Sequence, residues 1–463
     1  MREYSCQFFE REKQVLEESE PEKLQVAFCG NIANSMYLRA KPLINDGMNI
    51  SIFIHPDDNY IMSQPFWEEY NGTLSDNETN YRELIKKGYS FPNIKNVKQN
   101  TTVNLSEWFK IYNDKGYNFL KKCDIQDYQP FLTNINTLCN LQNYDVIWGT
   151  QILYMAYLAR LPYIGTQCGG DLWFEASRGD NFGRLMRLSF GNARVLVASN
   201  PWSFAHARRF GFRHMVYLPL ILNERDYYPS EGYSRNTWKK FSDGNFFVLT
   251  SSRLDEKNKG SMIGLDGFAQ FSKKNDKARL VFIGWGKDSK KLEKEFKRLG
   301  IDNKIIKLPI SGKAKVRDYL RSADVFIDQF VLGYFGSAGL EAMACGLPVI
   351  GRIETEQYAA LCETGAPPIL NCSTVAEVAE RLESLYQSSE YRRKISEDSA
   401  RWFVQNHGSG RWLDEHRAIL AATAAKMPVT FDDSPLAAPL DKQEKIYLQE
   451  GLCAAPKTMD YGW

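Results

Sequence analysis

Short, β-branched apolar runs alternate with longer helical stretches twice over along this chain, and that alternation restricts the fold more than any other feature. From Leu24 the runs are LQVAFCG, NISIFIHP, YDVIWGT, LPYIGT, RVLVASN and MVYLPLI; the pattern restarts with FFVLTSS, ARLVFIGWG, KIIKLPI, DVFIDQF and LPVIGR. Runs that are apolar throughout belong to strands buried on both faces, so parallel sheets covered by helices are expected. Two such series in 463 residues, at roughly 100–200 residues per domain, predict an α/β chain of two Rossmann-like units. The polar stretch NERDYYPSEGYSRNTWKKFSDG separates the series and divides a first domain over 1–228 from a second over 229–426. Between 57 and 143 the pattern blurs, which reads as an insertion on the first domain with helices around Trp108 and Phe119. After Met427 periodicity fades, and 427–463 reads as an irregular tail.

Composition narrows the function. With 58 basic and 56 acidic residues the formal charge is +2, too even for a dedicated nucleic-acid binder. Nine scattered cysteines without a CxxC pair fit a reducing cytoplasm. The charged opening MREYSCQFFEREKQ does not read as a signal peptide, and no apolar run reaches about 18 residues, so any membrane contact is expected to be peripheral. The stretch 271–321 carries sixteen Lys or Arg against six Asp or Glu. Within it, KDSKKLEKEFKRLG places Leu292, Phe296 and Leu299 on one helical stripe ending at Gly300, a solvated face or one attracted to anionic lipid or a charged acceptor. The five histidines show no metal-ligand spacing, and no acidic DxD motif is present, so neither a metal nor another cofactor is expected.

The most specific segment is GYFGSAGLEAMACGLPVIG, Gly333 to Gly351, where a glycine-containing loop opens into a short helix followed by a buried strand. Free N–H groups and the macrodipole make such a helix start an anion site. Gly336 and Gly339 leave room for a ligand beside the backbone, and Leu340, Met343 and Ala344 supply the buried stripe. Glu341 falls one turn inside. A capping box from Ser337 would need its carboxylate at Leu340, so Glu341 reads instead as an acceptor for a vicinal diol such as a nucleotide ribose, with phosphates at the helix start.

The segment FGSAGLEAMACGLPVI resembles the donor-site signature of the large retaining glycosyltransferase family 4, whose members have the GT-B fold: two Rossmann-like domains facing each other across a cleft. The resemblance runs in pattern from about Leu24 to Leu420 and is sharpest in the second half. It implies that Glu341 is the second of two signature glutamates, the one on the donor ribose, and that Phe335, Gly336, Ser337 and Ala338 form the donor loop. The first glutamate position is Gly333, a departure from the family. Asp328 and Gln329 in VFIDQF are candidates to replace that glutamate, or else the polar end of a strand. In SSRLDEKNKGS the resemblance makes Arg253 and Lys259 the cations on the donor diphosphate, with Lys257 on the surface. A departing nucleoside diphosphate gains negative charge, and fixed cations lower that barrier without a metal.

Weaker correspondences complete the set. Gly284 and Gly286 resemble the loop bordering the nucleotide, and Ile310 with Ser311 the position of the base, though a turn after a strand is common in α/β proteins. In the first domain, Gly30 and Asn31 resemble the turn facing the diphosphate. Asp171 in GTQCGGDLWFEA is a polar candidate near the reacting sugar, or the N-cap of the next helix. His407 resembles the entry to a closing helix that crosses back to the first domain. The implied activity is metal-independent transfer of a sugar from a nucleotide-sugar donor to an acceptor hydroxyl, with a glycan, lipid-linked, protein or small-molecule acceptor. A nucleotide-sugar 2-epimerase, a glycoside phosphorylase and a non-catalytic nucleotide-sugar binding protein are alternatives on the same fold.

Overall fold

The computed structural model describes residues 1–54, 65–74, 94–96, 135–167, 170–286 and 288–449. Its strands are β1 Gln25–Cys29, β2 Asn49–Ile54, β3 Thr73–Leu74, β4 Ile94–Asn96, β5 Val146–Gly149, β6 Tyr163–Thr166, β7 Val195–Ala198, β8 Met215–Tyr217, β9 Phe246–Thr250, β10 Ala278–Ile283, β11 Ile305–Leu308, β12 Ile310–Ser311, β13 Val325–Ile327, β14 Val349–Gly351 and β15 Leu370–Asn371. Each of the eleven runs read from the sequence forms one of them. The chain divides into two compact units, as the double series requires. Unit 1 is a seven-stranded sheet in the order β4-β2-β1-β5-β6-β7-β8, and unit 2 a six-stranded sheet in the order β11-β10-β9-β13-β14-β15. All their pairings are parallel.

Central strands such as β5, β7 and β13 are buried at every residue, which explains why they read as continuous apolar runs. In unit 2, Val248, Leu280, Phe282 and Val325 form one core with Leu265 and Phe268 of the Ser261–Ser272 helix and Val378 and Leu382 of the Val375–Gln387 helix. The basic Ser289–Arg298 helix buries Leu292 and Phe296 in that core. Gly300, at φ +68°, ends it by letting the Ile301 N–H reach the Phe296 carbonyl at 3.0 Å, a Schellman closure.

Strand order determines where loops converge. In unit 2 the chain leaves β9 toward β10 on one side, and β13 lies on the other side. Loops leaving the carboxyl ends of β9 and β13 therefore emerge side by side at the topological switch point, the place where open α/β sheets bind ligands.

Three sequence expectations need correction. The boundary between the units falls between Leu220 and Ile221, upstream of 228. Residues 66–74, expected within the first-domain insertion, pack with unit 2, while the helices expected around Trp108 and Phe119 lie outside the described residues. The tail is not wholly irregular, because Lys442–Gln449 is a helix. Asp441 accepts the Glu444 N–H at 2.7 Å and Glu444 accepts the Asp441 N–H at 3.0 Å, a capping box legible in DKQE. Residues 412–449, including most of the Ser409–Ala424 helix, belong to unit 1.

That helix brings His416 into the unit 1 core against the Trp148 ring, at 5.5 Å between centroids. The His416 Nδ1–H donates to the Trp412 carbonyl at 2.7 Å, so Nε2 accepts from the Arg39 guanidinium at 2.9 Å. Only a neutral imidazole can do both. Burial, with Arg39 adding to it, brings its pKa down to about 3; burial does the same for His206. A base with a depressed folded pKa stabilises the fold above its unfolded value and loses that contribution as pH falls toward the folded one. Between pH 7 and pH 5 unit 1 should lose about 2 kcal/mol per histidine, measurable by urea denaturation at the two pH values. A His416→Gln variant should show a smaller difference, and an identical difference would contradict the assignment.

Candidate functional site

The β9 loop carries both candidate cations. Asp255 caps the short Glu256–Lys259 helix by accepting the Asn258 N–H at 3.3 Å, and Gly260 ends it in the left-handed region. Lys259 is thereby delivered at the last helical position. The Arg253 guanidinium lies 3.5 Å from Asp255, and Lys257 is exposed. The 284–286 turn is tied to the same loop, with the Trp285 indole N–H donating to the Ser251 carbonyl at 2.8 Å and the Leu254 N–H to the Trp285 carbonyl at 2.9 Å.

The β13 loop lies beside it. Asp328 clasps both loops, one carboxylate oxygen accepting from the Ser252 hydroxyl at 2.9 Å and the other from the Gly336 N–H at 2.9 Å. Gly336 is the N-cap of the Ser337–Ala344 helix, and no side chain caps that helix. The first-turn N–H groups of Ser337, Ala338 and Gly339 therefore have no intrahelical acceptor. The Lys259 ammonium stands at this end, 3.5 Å from where a Cβ on Gly336 would lie. Burial lowers the Lys259 pKa, Asp328 and Asp255 raise it, and Arg253 lowers it further. A partly desolvated cation and the positive pole of a helix thus meet at one point, an arrangement suited to an anion.

Glu341 is buried, one turn inside this helix on the same face as Ser337. Its carboxylate does not stand alone. Lys313, which opens the Lys313–Ser322 helix, reaches both oxygens at 2.5 and 2.6 Å. Nearby, Glu68 is also buried and accepts the Tyr227 hydroxyl at 2.8 Å. Burial raises the Glu68 pKa, Lys313 opposes that and Glu341 adds to it. Periodicity does not reveal Lys313 or Glu68, because their significance lies in pairing across distant stretches of sequence.

Gly333, at the position of the family's first glutamate, has φ +73° and accepts the Glu354 N–H at 2.8 Å. A glutamate there would sit in the left-handed region at a cost of about 1–2 kcal/mol. The side chains of Asp328 and Gln329 both hold this loop, the Gln329 amide donating to the Tyr334 carbonyl. The Phe335 ring stacks on Tyr358 at 5.0 Å and meets His407 edge-on at 5.6 Å, so its side chain serves an aromatic cluster and its backbone frames the loop. Ile310 and Ser311 pair with β3.

The remaining candidates belong to unit 1. The Gly30 N–H donates to the Phe53 carbonyl at 2.9 Å, and the Asn31 side chain accepts the Tyr37 N–H at 2.8 Å and donates to Asn34 at 2.7 Å, so both shape the turn after β1. Asp171 is buried in the first turn of a π-helical segment whose N-cap is Gly170, and it accepts the Leu172 N–H at 2.7 Å. It is not the N-cap.

The clasp makes a testable demand on Gly339. A Cβ there would lie 2.5 Å from the Asp328 Oδ2, so Gly339→Ala should destabilise unit 2 by about 1–3 kcal/mol, read as a lower urea midpoint. An unchanged midpoint would show that the clasp is slack.

Part of unit 2 is similar to known proteins. Residues 235–402, all in unit 2, match the model for glycosyl transferases group 1. Mannosylfructose-phosphate synthase of Agrobacterium fabrum is 25% identical over 158 residues, 32% of this chain; the chain thus spans about a third, 35%, of that relative's length. Among solved structures, HepE of Anabaena, in complex with UDP and glucose, has a TM-score of 0.61 at 15% identity over 87% of this chain and 100% of its own. Sucrose-phosphate synthase of Thermosynechococcus elongatus has a TM-score of 0.56 at 13% identity over 87% and 96%. Residues 235–402 thus match the glycosyl transferases group 1 model, and the chain has the fold of GT-B glycosyltransferases.

Proposed function

We propose that this protein transfers a sugar from a nucleotide-sugar donor to an acceptor hydroxyl, with retention and without a metal, using unit 2 to hold the nucleotide. The observation that carries this reading is the uncapped Ser337–Ala344 helix opening on the Lys259 ammonium, with Glu341 one turn behind. The helix N–H groups and Lys259 take the diphosphate, Arg253 adds its charge from the same loop, and Glu341 accepts the ribose hydroxyls. As the bond from the sugar to the diphosphate breaks, charge gathers on the leaving oxygen, and these donors are already in place to stabilise it. The acceptor hydroxyl attacks from the face the diphosphate leaves, the new glycosidic bond forming as the old one breaks and the hydroxyl proton passing to the departing phosphate oxygen. Two relatives are named for making sugar phosphates, which supports a sugar-derived acceptor here; glycan, lipid-linked and protein acceptors are the other classes to be assayed. Cys29, Cys345 and Cys372 are buried thiols, in keeping with a cytoplasmic protein. Among the described residues no helix is long and apolar enough to cross a membrane, and the Lys-rich Ser289–Arg298 helix is the face assigned to any peripheral membrane contact.

One observation favours a second reading. With Gly333 where the signature has a glutamate, a nucleotide-sugar binder without turnover is the alternative, and an acceptor panel separates the two. For the main reading, at least one of UDP, GDP and ADP at 100 times its Kd should stabilise the protein by about 2.7 kcal/mol in a thermal-shift assay. None doing so would sink the proposal. Lys259→Ala should lower kcat by roughly 10²–10³, the range for loss of one donor to a developing anion, while EDTA leaves kcat unchanged.

A further inference from the structure

Residues 66–74 lie outside the matched domain, more than 150 residues before it, yet they pack as part of unit 2. β3 pairs antiparallel with β12, setting Leu74 opposite Ile310 and Thr73 opposite Ser311. The Gly312 N–H donates to the Gly72 carbonyl at 3.0 Å. Packing is so close that a Cβ on Gly312 would lie 2.1 Å from the Tyr70 carbonyl oxygen. Next along the chain, Lys313 and Arg317 stand one turn apart on the same helical face. Arg317 donates to the Glu68 carbonyl at 3.2 Å, and its guanidinium lies 5.0 Å over the Tyr227 ring. The strap thus covers the edge that leads to the helix holding Lys313.

Its consequence is electrostatic. Glu68 at 3% and Glu341 at 2% exposure are both buried, Lys313 pairs with Glu341, and Glu68 lies near enough to feel the charge of both. Buried carboxylates are costly unless paired, and removing one partner leaves the other uncompensated. Lys313 grips both Glu341 oxygens and so fixes the carboxylate's orientation, while each oxygen keeps a lone pair for a further donor. Glu68, held in turn by the Tyr227 hydroxyl, is tied to the Lys313 helix through its carbonyl, which accepts from Arg317 one turn along.

We propose that the 66–74 strap is part of the nucleotide site: Glu68 and Lys313 are positioning residues that orient Glu341 to read a ribose diol. This rests on the reading that Glu341 faces the ribose. A strap that merely braced the fold would not affect the distinction between a ribose and a sugar lacking its hydroxyls, and a strap that plugged the site would weaken binding when docked.

The test is isothermal titration of the full-length protein with ADP, GDP and UDP, with their 2′,3′-dideoxy counterparts, and with inorganic pyrophosphate. Wild type should bind at least one ribonucleoside diphosphate roughly tenfold or more tightly than its dideoxy counterpart, the worth of hydrogen bonds to a charged acceptor. In Glu68→Gln, Lys313→Met and Gly312→Ala that ratio should fall to about threefold or less, with pyrophosphate binding within about twofold of wild type. Glu68→Gln keeps the side chain's shape, so it serves if Gly312→Ala does not fold. Variants that fold and keep the full ratio overturn the proposal, as does tighter ribonucleotide binding in Gly312→Ala, which would make the strap a plug. Failure of wild type to bind any of the three diphosphates would instead overturn the functional reading beneath it.

Discussion

The unit 2 site depends on Asp328. Placed just past β13, its carboxylate ties the Ser252 hydroxyl of one switch-point loop to the Gly336 N–H of the other. Parallel strand order brings these loops together, but order alone does not fix the spacing between them. The clasp fixes where the Ser337–Ala344 helix begins, and thereby where its uncapped N–H groups point. Lys259 is set against the same point by a separate device, the Asp255-capped turn that ends at Gly260. Two acidic residues thus serve the backbone, and the positive pole remains for a ligand.

Behind that pole the charges are arranged differently. Lys313 pairs with the buried Glu341 beside the buried Glu68, so the value of the pair lies in orientation more than in net attraction. The site therefore combines an anion-attracting front with a rigid rear carboxylate, each suited to a different part of one nucleotide. Neither feature calls on a reactive side chain, in keeping with chemistry carried by positioning and charge stabilisation.

Much of the fold was legible because strands buried on both faces leave a local signature: YDVIWGT and DVFIDQF announce β5 and β13 without reference to any partner. The switch-point loops were legible too, since SSRLDEKNKG follows β9 directly and GYFGSAGLEA follows β13 after five residues. What stayed hidden was non-local. Glu68 and Lys313 gain meaning only when β3 pairs with β12 across more than 230 residues, and a two-residue strand has no periodicity to detect. Gly333 was visible as a departure, but its left-handed backbone, the physical reason for glycine there, was not. The capping box DKQE is local, but it lies in a stretch too poor in apolar periodicity to announce a helix.

The central claim is that a diphosphate sits on the free N–H groups at the start of the Ser337–Ala344 helix. Backbone amide NMR of the isotope-labelled protein, with and without a saturating nucleoside diphosphate, tests it most directly. The account predicts that the amide resonances of Ser337, Ala338 and Gly339 move most, together with the side-chain ammonium of Lys259. Ligand-induced changes confined to other loops, with these four signals unmoved, would contradict it.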